Sequence, residues 1–235
     1  MRTFVTILLV LVATFLMVLP NLVLWNPIVR EVYAFDLRGL HSMGGADGGK
    51  ALPAQLKSAF LAADDPEFYT RPAFDPLREG LALLSGHCAC SKYAGSPISY
   101  HLAQISTQGQ PMSQGKWNVV SPAMIFRLEH EFAKDEILDA YLSRIGYGTD
   151  IIGVRSAAAY YFDKPPEALT VSETIYLVAG PISGGCRAPA RYAIDKVADR
   201  LVTSGILRPE EAKAGADEAA TLPTARDRPS CNAHH

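Results

Sequence analysis

The chain carries no excess of charge of either sign: 22 lysines and arginines face 24 aspartates and glutamates among 235 residues, a formal net charge of -2. Binding nucleic acid requires a strongly basic face, so that partner class is excluded, although a local basic pocket is not. Cysteine is scarce, at four, and 49% of the chain is apolar with 20% charged. That composition belongs to an ordinary folded protein and excludes a disulfide miniprotein, a collagen-like repeat and a disordered chain. No internal repeat, low-complexity tract or dividing linker is present, and the length allows one compact domain with a real core, at most two.

Several signatures of chemistry are missing too. There is no GxxxxGK[ST] phosphate loop, no HExxH and no GxSxG elbow, which removes the usual nucleotide, zincin and hydrolase readings. The glycines of GGADGG (Gly44 to Gly49) follow no strand and read as a loop. His87, Cys88 and Cys90 sit in an HCAC string, but no second spaced pair completes a metal site, so none is expected. No cofactor is evident, and a role for a divalent cation stays open.

Against these absences stands one long apolar run. Phe4 to Trp25 (FVTILLVLVATFLMVLPNLVLW) contains no ionisable side chain. At about 1.5 Å per residue it can cross a hydrocarbon core of about 30 Å, and it outlasts the roughly 7 to 15 residues of a signal-peptide core. Residues 1–25 are therefore expected to be an uncleaved membrane anchor, with 26–49 as a linker. Val32 and Ala34 would form the small-residue site of the competing, cleaved reading. Arg2 lies before the run, while Arg30 and Glu31 come after it, so the positive-inside rule favours a single pass through the inner (cytoplasmic) membrane with the rest exported. Cys88, Cys90, Cys186 and Cys231 would then meet an oxidising compartment, where up to two bridges in three pairings are open. A ring closed between Cys88 and Cys90 would be too strained.

The remaining pattern is helical, without a convincing alternating strand, so the expected fold class is all-α. Leu52, Leu56, Ala59, Phe60 and Ala63 recur at helical steps and predict a helix ending near Asp64. Asp75-Pro76, Ser96-Pro97 and Ser121-Pro122 each read as an N-cap followed by the first helical residue. MIFRLEHEFAKDEILDAYLSRI predicts two helices or one bent helix ending near Gly146. Thr170 with Glu173 forms a capping box, with Gly180 as the expected stop. A further helix spans 191–203 with Gly205 at its end, Pro209 starts a short polar one, and the tail after Thr221 is expected to be loose.

ADDPEFYTRPAFD (63–75), AGSPISYHLAQ (94–104) and KDEILDAYLSRIGYGTDIIGVRSAAAYYFDKPPEALTVSETIYLVAG (134–180) occur in the order and approximate spacing of known family motifs. The chain thereby resembles glycosyltransferase family 51, the monofunctional peptidoglycan glycosyltransferases and the transglycosylase domains of class A penicillin-binding proteins. The third block carries most of the likeness, with Lys134 to Leu138, Tyr141, Leu142, Tyr147, Gly148, Tyr161, Phe162 and Glu173 all fitting the family's KDEILExYLN, YFG and YFGK pattern. The resemblance implies a single lysozyme-like helical domain over 50–205, followed by a partly disordered extension, 206–235. It also implies polymerisation of lipid-linked disaccharide-pentapeptides into glycan strands during cell-wall biogenesis. The implied partners are that precursor, the membrane and other cell-wall synthesis proteins. The stretch after Gly180 is too short for a transpeptidase domain, so a monofunctional protein is expected.

The family's charged positions are altered here. Its first glutamate, the implied base, falls on Asp64, with Asp65 beside it; its histidine falls on Arg71. The second motif keeps Ser96, Ile98 and Ser99, but the lysine after it falls on Gln104. The RKxxE motif falls on Trp117, Asn118 and Ser121, so the second glutamate is missing, and Lys116 stands one residue out of register. An aspartate carboxylate reaches roughly 1.5 Å less far than a glutamate's, and a displacement of about 1 Å can cost about 100-fold in rate. Glu129 reads as a structural acid. Three readings are open. The first is a divergent active enzyme, with Asp64 as base and Arg71, Lys116 and Ser99 contacting the phosphates. The second is an impaired relative that binds precursor, glycan or a cell-wall enzyme without turnover. The third is a different reaction run by His87, His101 or Arg71.

Overall fold

The computed structural model of the chain describes residue 37 and residues 51–71, 96–107, 117–148, 151–182 and 189–222, with the backbone alone over 117–123. The alanine- and leucine-rich stretch after Pro53 forms α1, Ala54–Asp64, and buries Leu56, Ala59, Phe60, Ala62 and Ala63. This is the face its periodicity predicts. Ser96 starts α2, Pro97–Thr107, because its hydroxyl accepts the Ser99 N–H at 3.2 Å while Pro97 needs no partner for its own nitrogen. Then come α3, Trp117–Glu131, and α4, Lys134–Arg144, two helices separated at Phe132 and Ala133. Glu136 reaches back to accept the Ala133 N–H at 2.7 Å and so fixes the start of α4.

After α4 the chain reverses through an isolated antiparallel bridge between Gly146 and Ile152. Gly153 (φ +85°) then opens α5, Val154–Phe162. A side chain at Gly153 would meet the Ser143 carbonyl oxygen at 2.7 Å, so both the backbone angle and the space require glycine. A 3₁₀ turn, Pro166–Ala168, leads to α6, Val171–Ile182. Its capping box closes reciprocally: Glu173 accepts the Thr170 N–H at 2.8 Å, and the Thr170 hydroxyl accepts the Glu173 N–H at 3.3 Å. α7, Arg191–Thr203, ends in a Schellman arrangement, with Ile206 N–H to Leu201 O and Gly205 N–H to Val202 O both at 2.9 Å, and Gly205 left-handed. Pro209 is the first residue of α8, Pro209–Ala219.

Two expectations about helix ends are corrected. Ser121-Pro122 does not cap a helix: α3 begins at Trp117 and carries Pro122 in its second turn. The turn before the proline is helical although Ser-Pro ordinarily marks a start. Nor does Gly180 end α6, which continues through Pro181 to Ile182. Gly180 is small for packing, because a Cβ there would lie 3.1 Å from the buried Tyr147 ring.

Among the described residues the structure is all-helical. α6 packs against α1, α5, α7 and α8, and α7 against α1 and α8. The apolar face of α8 is small (Ala212, Gly215, Ala216, Ala219) and lets it lie close on α6, where Gly215 meets Val171 and Ile175. On the other side α2 packs against α3 and α4. Phe60, Leu102, Leu128, Leu138, Leu142, Ile175 and Leu177 are fully buried in one continuous core. Among the described residues no helix is long and apolar enough to cross a membrane. The span expected over 4–25, the linker apart from the buried Leu37, the cap at Asp75, the HCAC string and all four cysteines lie outside them.

Candidate active site

The seam between the two helix groups is where the polar residues gather. Asp64 is the last residue of α1 and Asp65 its C-cap, so the helix end itself presents two adjacent carboxylates. Asp64 is half-buried, and its Oδ2 accepts the Tyr141 hydroxyl of α4 at 3.0 Å. Burial pushes the Asp64 carboxyl up to about 6, against the lowering effects of the Tyr141 bond and the positive charge of Lys196. The Tyr141 hydroxyl is held well above its ordinary range by burial and by Asp64. It therefore remains a donor. Nearby, Tyr147 is buried, and its hydroxyl oxygen has no hydrogen-bond partner among the described residues.

Asp65 serves a different purpose. It is 1% exposed, accepts the Ser96 hydroxyl at 2.6 Å and pairs with Arg71 Nη1 at 2.8 Å. Burial raises its carboxyl despite both partners. Arg71 also pairs with Glu67 at 3.1 Å, so its guanidinium bridges two acids of its own loop. Ser96 thus caps α2 and ties α2 to the end of α1. Ser99, a turn further, donates its hydroxyl to Glu129 of α3 at 2.6 Å, and Glu129 receives Lys134 on its other oxygen. The Lys134 ammonium lies 4.7 Å from the centre of the buried Phe68 ring. Tyr69 donates to Asp135, and Lys57 of α1 pairs with Asp139 of α4. Motifs far apart in sequence are thus joined into one polar seam.

Of the expected site residues, Asp64, Asp65, Arg71, Ser96 and Ser99 come together there. Gln104 lies exposed on α2. Ser121 falls within α3 with only its backbone described, and Lys116 and His87 are outside the described residues. His101, exposed on α2, stacks on Tyr141 with ring centres 6.4 Å apart. A groove of about 600 Å³ runs between α7 and α8, lined among others by Asp195, Asp199, Pro209 and Lys213, and no acid of the first motif lines it. Among the described residues no histidine, cysteine, aspartate and glutamate cluster could hold a metal. The contact of Tyr141 with Asp64, separated by 77 positions, was not legible in the sequence. Its signal was available only as Tyr141's place in the family pattern.

The family described as Transglycosylase matches residues 48–204, two thirds of the chain. The chain belongs to the transglycosylase family. It is similar to penicillin-binding protein 1F of Bacillus subtilis (strain 168), 31% identical over 145 residues that cover 60% of this chain and 19% of that protein. Penicillin-binding protein 1A of Rickettsia prowazekii (strain Madrid E) is 29% identical over 177 residues, covering 73% of this chain and 21% of its own. Penicillin-binding protein 4 of Bacillus subtilis (strain 168) is 30% identical over 132 residues, covering 55% and 21%. The chain therefore spans about a fifth of the length of these relatives. In this member of the family the polar seam at the end of α1 lies inside the matched region.

Proposed function

We propose that this chain is a membrane-anchored peptidoglycan glycosyltransferase with a lysozyme-like helical domain. In this reading it joins lipid-linked disaccharide-pentapeptides at the outer face of the cytoplasmic membrane, where the apolar run 4–25 tethers it. The observation that carries the reading is Asp64: a half-buried carboxyl at a helix end, oriented by Tyr141 and raised to about 6, within a transglycosylase match. A general base works best with a pKa near the operating pH, where it is ionised yet still takes a proton readily. The hydroxyl of the acceptor sugar gives its proton to Asp64, its oxygen bonds to the anomeric carbon of the donor, and the diphosphate leaves with the electron pair. Tyr141 holds the shorter aspartate in one orientation, which limits the loss from the missing methylene.

A specific observation favours the second reading, precursor binding without turnover. Arg71 and Ser99, the residues nearest to replacing lost phosphate contacts, are held by Asp65, Glu67 and Glu129. One assay separates the two. Purified full-length protein in detergent is given lipid-linked disaccharide-pentapeptide, and glycan strands are separated by size. The active reading expects polymer from the parent, none from Asp64→Asn and as much or more from Asp64→Glu. Absence of polymer from both the parent and Asp64→Glu, with precursor still bound, establishes the second reading. Parental polymer that persists in Asp64→Asn removes Asp64 as the base.

A further inference from the structure

Helix α7 carries a charge pattern that costs stability unless something answers it. Its buried stripe is Ala193, Ile194, Val197, Ala198 and Leu201. At about 100° per residue, Asp195 and Asp199 fall on the edge that lines the groove with α8. Lys196 and Arg200 share the opposite edge, one turn apart and beside Ala193 and Val197. α7 packs on α1 as well as on α8; since α8 lies along the acidic edge, the basic edge is left on the side of α1, the helix that ends in Asp64. Like charges at i and i+4 repel each other. Neither cation makes an ion pair among the described residues, whereas Arg191 on the same helix pairs with Asp195 and Asp217. Lys196 is exposed and Arg200 half-buried, so both can meet a ligand from solvent. Both charges act on the Asp64 carboxylate, and Asp199, three residues from Lys196, is the acid nearest to them on α7 itself.

One carboxylate does not neutralise two cations, and a base that must accept a proton gives up its charge during the reaction. We propose that Lys196 and Arg200 form a diphosphate-binding pair beside Asp64, supplying positive charge that Gln104 cannot supply from α2. The proposal rests on the transglycosylase reading above. In that reaction the bond between the anomeric carbon and the diphosphate oxygen breaks as the new glycosidic bond forms, and negative charge develops on the departing diphosphate. Two cations on one helix edge stabilise that charge as it develops. The same pair can bind a polyprenyl diphosphate headgroup or free inorganic diphosphate, since both present the same oxygens.

The test uses the full chain in detergent, titrated with inorganic pyrophosphate by calorimetry and, separately, mixed with phosphatidylcholine vesicles containing a polyprenyl diphosphate. The variants are Lys196→Gln with Arg200→Gln, and Asp199→Asn on the other edge of α7. The double variant is expected to bind both probes about 10- to 100-fold more weakly, as for loss of charge-assisted hydrogen bonds. Its melting temperature should hold or rise, because the i,i+4 repulsion is gone. Weakening confined to the vesicles supports the pair and assigns the lipid headgroup as its ligand. Equal binding by parent and double variant, no binding by the parent, or the same weakening in Asp199→Asn overturns the proposal. Polymer formation is followed in parallel. A parent that makes no polymer yet binds pyrophosphate through the pair leaves the pair standing and removes the enzymatic reading; a parent that makes polymer while binding ignores the double substitution does the reverse.

Discussion

Asp64 and Asp65 are neighbours with the same side chain, yet the fold separates their roles. Asp65 is enclosed by Ser96 and Arg71, while Asp64 meets a single tyrosine hydroxyl. Because burial raises the Asp64 carboxyl from 3.8 to about 6, the folded state binds a proton more tightly than the unfolded chain does between those values. Stability therefore falls as pH rises through that window, and above it the ionised group costs about 3 kcal/mol. Asp64→Asn is expected to melt above the parent at pH 7.5, with the advantage gone by pH 4; thermal melts across pH check this, and equal melting at both values would refute it. Tyr141→Phe removes a hydrogen bond that favours the ionised carboxylate, so the Asp64 pKa should climb above its present value. Carbon-13 titration of the aspartate carboxyls measures it directly. The rising limb of kcat/KM against pH should move the same way, whereas a tyrosine that merely filled space would leave both unchanged.

At the scale of elements, capping and glycine geometry decide where helices begin and end. Gly153 and Gly205 both have positive φ, but a Cβ at Gly153 runs into the Ser143 backbone while Gly205 faces open space. Gly205→Ala should cost only the left-handed backbone penalty, about 1 kcal/mol. Gly153→Ala must also push apart the end of α4 and the start of α5, adding about 1 to 3 kcal/mol. Urea unfolding of the two variants gives the comparison, and equal losses would mean that the α4–α5 contact yields without cost. The helix periods and the Thr170–Glu173 box were legible in the sequence because they depend on neighbours within four residues. Ser121-Pro122 and Gly180 were misread for the opposite reason. Whether a proline is tolerated inside a helix, or a glycine continues one, depends on what packs against that turn, and for Gly180 this is Tyr147 from another part of the chain.

For the whole molecule, the seam joins α1, α2, α3 and α4 through Asp65–Ser96, Ser99–Glu129, Lys134–Glu129 and Tyr141–Asp64. Ser96, Ser99, Lys134 and Tyr141 thus hold the scaffold around the first motif. The proposed anchor and exported topology lead to a prediction at this scale. Thiol-reactive probes applied outside intact cells should reach the region after residue 30, and at least one disulfide should form among Cys88, Cys90, Cys186 and Cys231. Closing a loop of tens of residues would add about 3 to 4 kcal/mol. Mass spectrometry of protein extracted without reductant should find fewer than four free thiols; four free thiols, or labelling only from the cytoplasmic side, would refute the topology.

By itself the sequence determined the all-helical class, most helix boundaries and the place of the first acid pair, since helical period, caps and motif order are short-range properties of the chain. It also identified Asp64 and Asp65 as distinct from the other acids, through the motif that contains them. What it could not assign was which of the two would be enclosed by Ser96 and Arg71 and which would face Tyr141 alone. That outcome depends on Ser96, Arg71 and Tyr141 arriving from three different segments. Nor does the sequence alone lay α7 against α1, the packing on which the role proposed for Lys196 and Arg200 depends. Desolvation and charge–charge coupling act through space, and only tertiary packing sets those distances.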